Sequence, residues 1–167
     1  MTSTRQAPHP RFPDDPAPGD PLIGARLRYL LGAVERCVAR ALADAGFSDV
    51  QLLHFKVLRF PPPEDERPID LAQRAGMSKQ AMNYLLAQLE ELGYVRRVAT
   101  DAAARRISLT EKGWKVAQIQ RATVRAIERE WSARMGAKRF ATFYSVLTEL
   151  AEIEGADQLP PAARRQA

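Results

Sequence analysis

Cysteine and histidine are almost absent from this chain, which carries one cysteine, Cys37, and two histidines, His9 and His54. A single thiol cannot build an internal disulfide framework, and these three residues do not make a metal-ligand set. Neither a metal nor another cofactor is expected. No stretch approaches the roughly 18 apolar residues of a membrane-spanning helix, so no membrane partner is expected. The opening segment MTSTRQAPHPRFPDDPAPGD lacks the apolar centre of a secretory signal, and the expected location is the cytoplasm. A glycine-rich phosphate loop and a nucleophile–base pairing are also missing. The carboxylates fall in surface-like runs rather than as a pair among apolar residues, so the chain does not read as an enzyme.

What remains is a basic, helix-rich chain. Its 167 residues suit one domain with ragged ends, long enough to bury a sizeable core. The formal net charge is +5, and such an excess favours polyanionic partners through counterion release. Six of the twelve prolines lie between Pro8 and Pro21, so residues 1–20 read as a disordered arm with too little apolar surface to offset ordering. The Pro/Ala/Arg-rich stretch 156–167 reads as a frayed tail. Residues 21–155 form the expected domain.

Within it, Ile23, Leu27, Leu30, Leu31, Val34, Cys37, Val38, Ala41 and Leu42 recur at helical spacing, predicting a helix over 22–45 closed by Gly46. A second helix is expected over 50–60, stopped by Pro61–Pro62–Pro63. After the acidic loop Glu64–Asp65–Glu66, Asp70 is the expected N-cap of a short helix ending at Ala75–Gly76. Ser78 caps a longer helix to Leu92, and strands follow at 94–99 and 105–109. Thr110 caps a helix running to Met135, with Gly136 as its stop, and a last helix covers 138–154. The fold class is therefore mainly α with a small antiparallel β wing: two helices joined by a tight turn, then a hairpin, which is a winged helix-turn-helix.

On a wheel at about 100° per residue, Ala81, Met82, Leu85, Leu86, Leu89 and Leu92 share the core side of the Ser78–Leu92 helix. The opposite side carries Gln80, Asn83, Tyr84 and Ala87, flanked by Lys79. Asn and Gln present a donor and an acceptor together to adenine, Tyr meets a phosphate or a thymine methyl, and Ala87 permits close approach. Glu90 and Glu91 would repel phosphates, so the N-terminal half is the part expected to enter a major groove. A polar face opposite a core face is ordinarily just solvated; the neighbouring short helix and hairpin are what favour DNA. The hairpin concentrates Arg96, Arg97, Arg105 and Arg106, which suit phosphate contacts beside the groove or, alternatively, a charged strand edge that resists aggregation.

These stretches resemble the MarR family of winged-helix regulators. Leu71–Ala72–Gln73–Arg74–Ala75–Gly76–Met77–Ser78 and Leu89–Glu90–Glu91–Leu92–Gly93–Tyr94–Val95–Arg96–Arg97 look like its helix-turn-helix and exit into the wing. Asp101 with Leu109–Thr110–Glu111–Lys112–Gly113 looks like its wing signature, D-x-R followed by five residues and L-T-x-x-G. The signature's arginine falls on Ala103, so the minor-groove contact that the family makes from the wing tip has to come from Arg105 or Arg106 at the strand base, or is lost and DNA binding rests more on the helices.

The resemblance covers about residues 22–154. It implies a homodimer built from the helices at 22–45 and 138–154, a DNA-binding part over 50–113, and a double-stranded, pseudo-palindromic operator. The apolar sets along 22–45 and at Phe140, Phe143, Tyr144, Val146, Leu147 and Leu150 agree, since they exceed the cover one small wing domain needs. The implied DNA-binding residues are Ser78, Lys79, Gln80, Asn83, Tyr84, Arg96, Arg97, Arg105 and Arg106. The family also implies a transcriptional repressor relieved by a small aromatic or anionic effector, with Arg26, Tyr29, His54 and Phe55 as candidate lining residues. The commoner role of such a histidine is structural, and the commoner state of Cys37 on an apolar stripe is a buried, inert thiol. Trp114 and Trp131 read as packing anchors. The alternative reading is a winged-helix protein with weakened DNA binding that works through protein partners or as a ligand-binding module; Ala103 is the residue that favours it.

Overall fold

A computed structural model describes residues 21–58, 63–99 and 105–154. The expected arm at 1–20, the tail at 156–167, the wing loop 100–104 with Ala103, and the end of the expected second helix with the stop residues Pro61 and Pro62 lie outside the described residues. The chain divides into two compact units, one ending at Ala33 and one beginning at Val34.

Helix α1 spans Ile23–Asp44. In its first part Ile23, Leu27, Leu30 and Leu31 are exposed. Farther along, Val38 and Leu42 enter the hydrophobic core and Val34 packs against it. Cys37 is exposed, which corrects the buried position expected for it. The apolar stripe is wider than the part of it that meets this core.

The second expected helix starts as a tight 3-10 turn, Leu52–His54, before α2 at Phe55–Leu58. The turn is local chemistry: the Gln51 amide donates to His54 Nδ1 at 3.1 Å, and the His54 amide donates to the Gln51 carbonyl at 2.9 Å. Helix α3, Pro68–Ala75, begins earlier than the Asp70 cap implied. Proline at the first helical position has its φ pre-set and no N–H to leave unpaired, so it starts the helix and Arg67 sits at the cap. Asp70 instead lies in the first turn, where its carboxylate accepts two Arg67 N–H bonds at 2.7 and 2.8 Å.

Gly76 closes α3 with φ 62°, a conformation few other residues hold without strain. Two residues later the Ser78 hydroxyl accepts from the Ala81 amide at 3.1 Å and caps α4, Lys79–Glu91. Strands β1 (Val95–Ala99) and β2 (Arg105–Leu109) pair antiparallel, with Val95 opposite Leu109 and Arg97 opposite Ile107. The acidic loop is less loose than its composition suggests. Glu66 bridges Ile107 through both backbone bonds, at 3.1 and 2.8 Å, adding a one-residue third strand to the hairpin.

Helix α5, Glu111–Met135, is capped by Thr110, whose hydroxyl accepts from the Gly113 amide at 3.1 Å. Helix α6 covers Ala137–Ile153 and packs on α5, yet none of its residues is buried. The core lies among α3, α4, the hairpin and the start of α5. Leu71, Met82, Leu85, Leu86, Leu89, Tyr94, Ile107 and Val116 are fully enclosed there, each large aliphatic contributing roughly 1.5–3 kcal/mol by burial. That core holds α4 by one face and leaves the other in solvent.

Candidate nucleic-acid interface

Met82, Leu85, Leu86 and Leu89 are the buried face of α4, and Leu92 is half-buried beyond its end. Ala81, expected on the same side, is exposed. At 100° per residue it sits about 90° from the centre of the stripe formed by the other four, past the edge of the core. The outward face presents Lys79, Gln80, Tyr84 and Ala87, all exposed, with Asn83 half-exposed. Tyr84 retains 67% of its accessible surface, an unusual exposure for a ring that burial would stabilise. The Ser78 side chain is already committed as the cap of this helix.

The hairpin register sorts its arginines, because residues directly opposite each other share a face. Arg97 stands opposite Ile107, which is buried, and so belongs to the side of the ribbon that meets the core. Its Nε donates to Glu90 Oε2 at 3.0 Å. Arg96, opposite Ser108, is exposed on the other side, and among the described residues it makes no ion pair. Arg106 stands opposite Val98, and its guanidinium donates to the Asp65 carbonyl at 2.7 Å and lies 3.8 Å from that residue's carboxylate. Arg105 pairs with Ala99 in the same register. Glu90 and Asp65 as partners were not legible in the sequence, since they lie 7 and 41 positions away.

Behind the hairpin a second polar cluster ties three elements together. The Tyr94 hydroxyl donates to Asp49 Oδ1. Lys112 bonds Asp49 Oδ2 at 3.3 Å and the Leu92 carbonyl at 2.9 Å, and lies 4.1 Å from the centre of the Tyr94 ring. The Tyr94 hydrogen bond is the chief reason the Asp49 carboxyl stays below its ordinary value, with Lys112 adding to it against partial burial. Burial, and then the Asp49 acceptor, raise the Tyr94 phenol in turn.

The four candidate effector residues divide between the two units. Arg26 and Tyr29 are exposed on the first part of α1, with Arg26 Nε donating to the Pro21 carbonyl at 3.0 Å. His54 is buried at 3% exposure and Phe55 is half-buried against the core. Burial lowers the His54 pKa below its ordinary 6.5, opposed by the charge of Asp49. Trp114 packs against the core, as expected, and Trp131 is half-buried on α5. Among the described residues no group of three or more His, Cys, Asp or Glu side chains is placed to hold a metal ion, and no helix is long and apolar enough to cross a membrane.

Comparison with known proteins meets this geometry. The MarR family model matches residues 61–106, from before α3 into β2. The HTH-type transcriptional repressor Rv2887 of Mycobacterium tuberculosis is 32% identical over 127 residues, covering 74% of this chain and 90% of the relative. The crystal structure of that MarR family protein in complex with DNA superposes with a TM-score of 0.55 at 30% identity, over 78% of this chain and 98% of the other. Its complex with salicylic acid superposes with a TM-score of 0.58 at 29% identity, over 79% and 98%. With a helix-turn-helix, a hairpin wing and long flanking helices in the same order, this chain belongs to the MarR family of winged helix-turn-helix transcriptional regulators.

Proposed function

We propose that the protein is a homodimeric repressor that binds a pseudo-palindromic operator through α4 and lets go when a small aromatic or anionic effector binds. The observation that carries this reading is the outward face of α4. Gln80, Tyr84 and Ala87 are exposed and Asn83 half-exposed on a helix whose opposite face is locked in the core. A helix held so, with its N-terminal end free, meets the requirements for major-groove entry: rigid backing, amide side chains for base edges and a small residue for close approach. Ser78 and Lys79 stand at the positive end of the helix dipole, where phosphates are favoured. Arg96, exposed on the outer side of the hairpin, supplies further charge beside the groove. That a relative 30% identical has been crystallised with DNA supports the same assignment.

The dimer rests on unpartnered apolar surface. Tyr144, Val146, Leu147, Leu150 and Ile153 of α6 are all exposed, as are Ile23, Leu27 and Leu31 of α1. An apolar stripe on each terminal helix is an unfavourable surface for a lone protomer, and a second copy is the economical cover. The effector reading is supported by the salicylic acid and p-aminosalicylic acid complexes of Rv2887.

Selection of binding sites from a random duplex library, at near-physiological salt, tests the proposal. Enrichment of an inverted repeat with half-sites about ten base pairs apart is the expected result. Released occupancy on adding salicylate would extend it to the effector. A protein that stays monomeric and enriches no site overturns it and leaves the reading through protein partners.

A further inference from the structure

Of the four hairpin arginines, two are already answered by acidic residues of the same chain. Arg97 faces the core side of the ribbon and gives its Nε to Glu90 at 3.0 Å. Only 22% of its side chain is exposed, against 42% for the glutamate. Arg106 is spent on Asp65, whose backbone sits at φ 56°, a left-handed conformation that a non-glycine residue adopts at a cost. The Asp65 amide also donates to Ser108 Oγ at 3.3 Å, so Arg106 and Ser108 together hold that corner against β2. Arg96 shares the outer face with Arg106 but is exposed and makes no ion pair among the described residues.

We propose that Arg96, Arg97 and Arg106 do not act alike on DNA, and that Glu90 determines how much charge the wing presents. Arg96 neutralises phosphate directly, Arg97 is withheld by Glu90, and Arg106 is a positioning residue that fixes the 63–66 segment on β2. This rests on the DNA-binding reading. A phosphate that recruited Arg97 would have to take it from a carboxylate at hydrogen-bond distance. It would also leave Glu90 unpaired at the C-terminal end of α4, facing the same polyanion. The wing is then tuned toward few phosphate contacts, leaving discrimination to α4.

The salt dependence of affinity for a random-sequence duplex measures this directly, because each neutralised phosphate contributes about 0.9 to the slope of log K against log salt. The proteins compared are wild type, Arg96→Gln, Arg97→Gln, Arg106→Gln, Glu90→Gln and the double variant Glu90→Gln/Arg97→Gln. In a dimer, Arg96→Gln should flatten the slope by about two units, while Arg97→Gln and Arg106→Gln leave it unchanged. Glu90→Gln should steepen the slope by a similar amount, and Arg97→Gln in the same chain should abolish that gain. Equal flattening by Arg96→Gln and Arg97→Gln overturns the proposal while leaving DNA binding intact, as does a Glu90→Gln slope identical to wild type. A wild-type protein with no salt-sensitive affinity sinks this inference and the DNA-binding reading together.

Discussion

A methyl group placed on the α-carbon of Gly113 would lie 2.1 Å from the carbonyl oxygen of Tyr94. The first turn of α5 therefore crosses the link between α4 and β1 at a distance only glycine permits. The same carbonyl accepts the Thr110 amide at 3.0 Å, which fixes where α5 leaves the hairpin. Gly113→Ala should destabilise the fold by about 1–3 kcal/mol, since the backbone strain exceeds the roughly 1 kcal/mol that alanine gains as a helix former. Urea unfolding of the two proteins decides it. An alanine variant as stable as wild type would mean that the approach relaxes without cost.

Tyr94→Phe keeps the buried ring and removes only the hydroxyl that Asp49 accepts. Hydrogen bonds to a charged acceptor contribute more than neutral ones, but Asp49 is partly solvated, so the expected loss is about 1–2 kcal/mol. Lys112→Met removes the other partner of the same carboxylate. The double variant should depart from additivity by at least about 0.5 kcal/mol, because both changes act on one group. Strict additivity would show that the three residues do not work as a unit.

Stability should fall in mildly acidic solution through His54. Burial depresses its folded-state pKa below 6.5, so the unfolded chain takes up the proton more readily. The contribution is complete above pH 6.5 and is lost as pH falls through the depressed folded value. The Asp49 carboxyl is itself lowered, so it stays charged across this range and does not contribute there. Denaturation midpoints at about pH 7.5 and pH 5 should differ for wild type and much less for His54→Asn, which keeps an acceptor for the Gln51 amide. The same pH trend in both proteins would remove His54 from the explanation.

Ser78 separates stability from DNA affinity. Ser78→Ala removes the cap accepted from the Ala81 amide and should cost about 1 kcal/mol. Ser78→Asp restores a capping oxygen and favours the helix dipole, but places a negative charge where phosphate is proposed to bind. Its melting temperature should match wild type while its DNA affinity drops. Unchanged affinity would argue that the N-terminal end of α4 does not approach the backbone of DNA.

On a selected operator, Asn83→Ala should lose about 1–3 kcal/mol of discrimination at one base pair per half-site, leaving non-specific affinity nearly as it was. Competition between matched and single-base-variant duplexes reads this out. An equal loss on every sequence would reassign Asn83 to a phosphate.

Local chemistry made much of this fold legible in advance. Gly76, Ser78, Gly93, Thr110 and Gly136 punctuate the helices where their residue types demand, because capping and positive φ are decided within a few bonds. The periodicity of Met82, Leu85, Leu86 and Leu89 likewise identified the buried face of α4, and so its free face. Asp70, the conspicuous cap residue, misplaced the start of α3, because Pro68 with its pre-set φ begins the helix. The pairing of Arg97 with Glu90, of Arg106 with Asp65, of Tyr94 with Asp49 and of Glu66 with Ile107 was decided elsewhere. These contacts join residues up to 45 positions apart, and no spacing rule encodes them. A charge in a sequence is a property of one residue, but whether that charge is available to DNA depends on which neighbours the packed core brings within hydrogen-bond reach. The caps of the helices and the buried stripe of α4 are thus properties of the sequence alone, while the free or spent state of Arg96, Arg97 and Arg106 is a property of the tertiary structure.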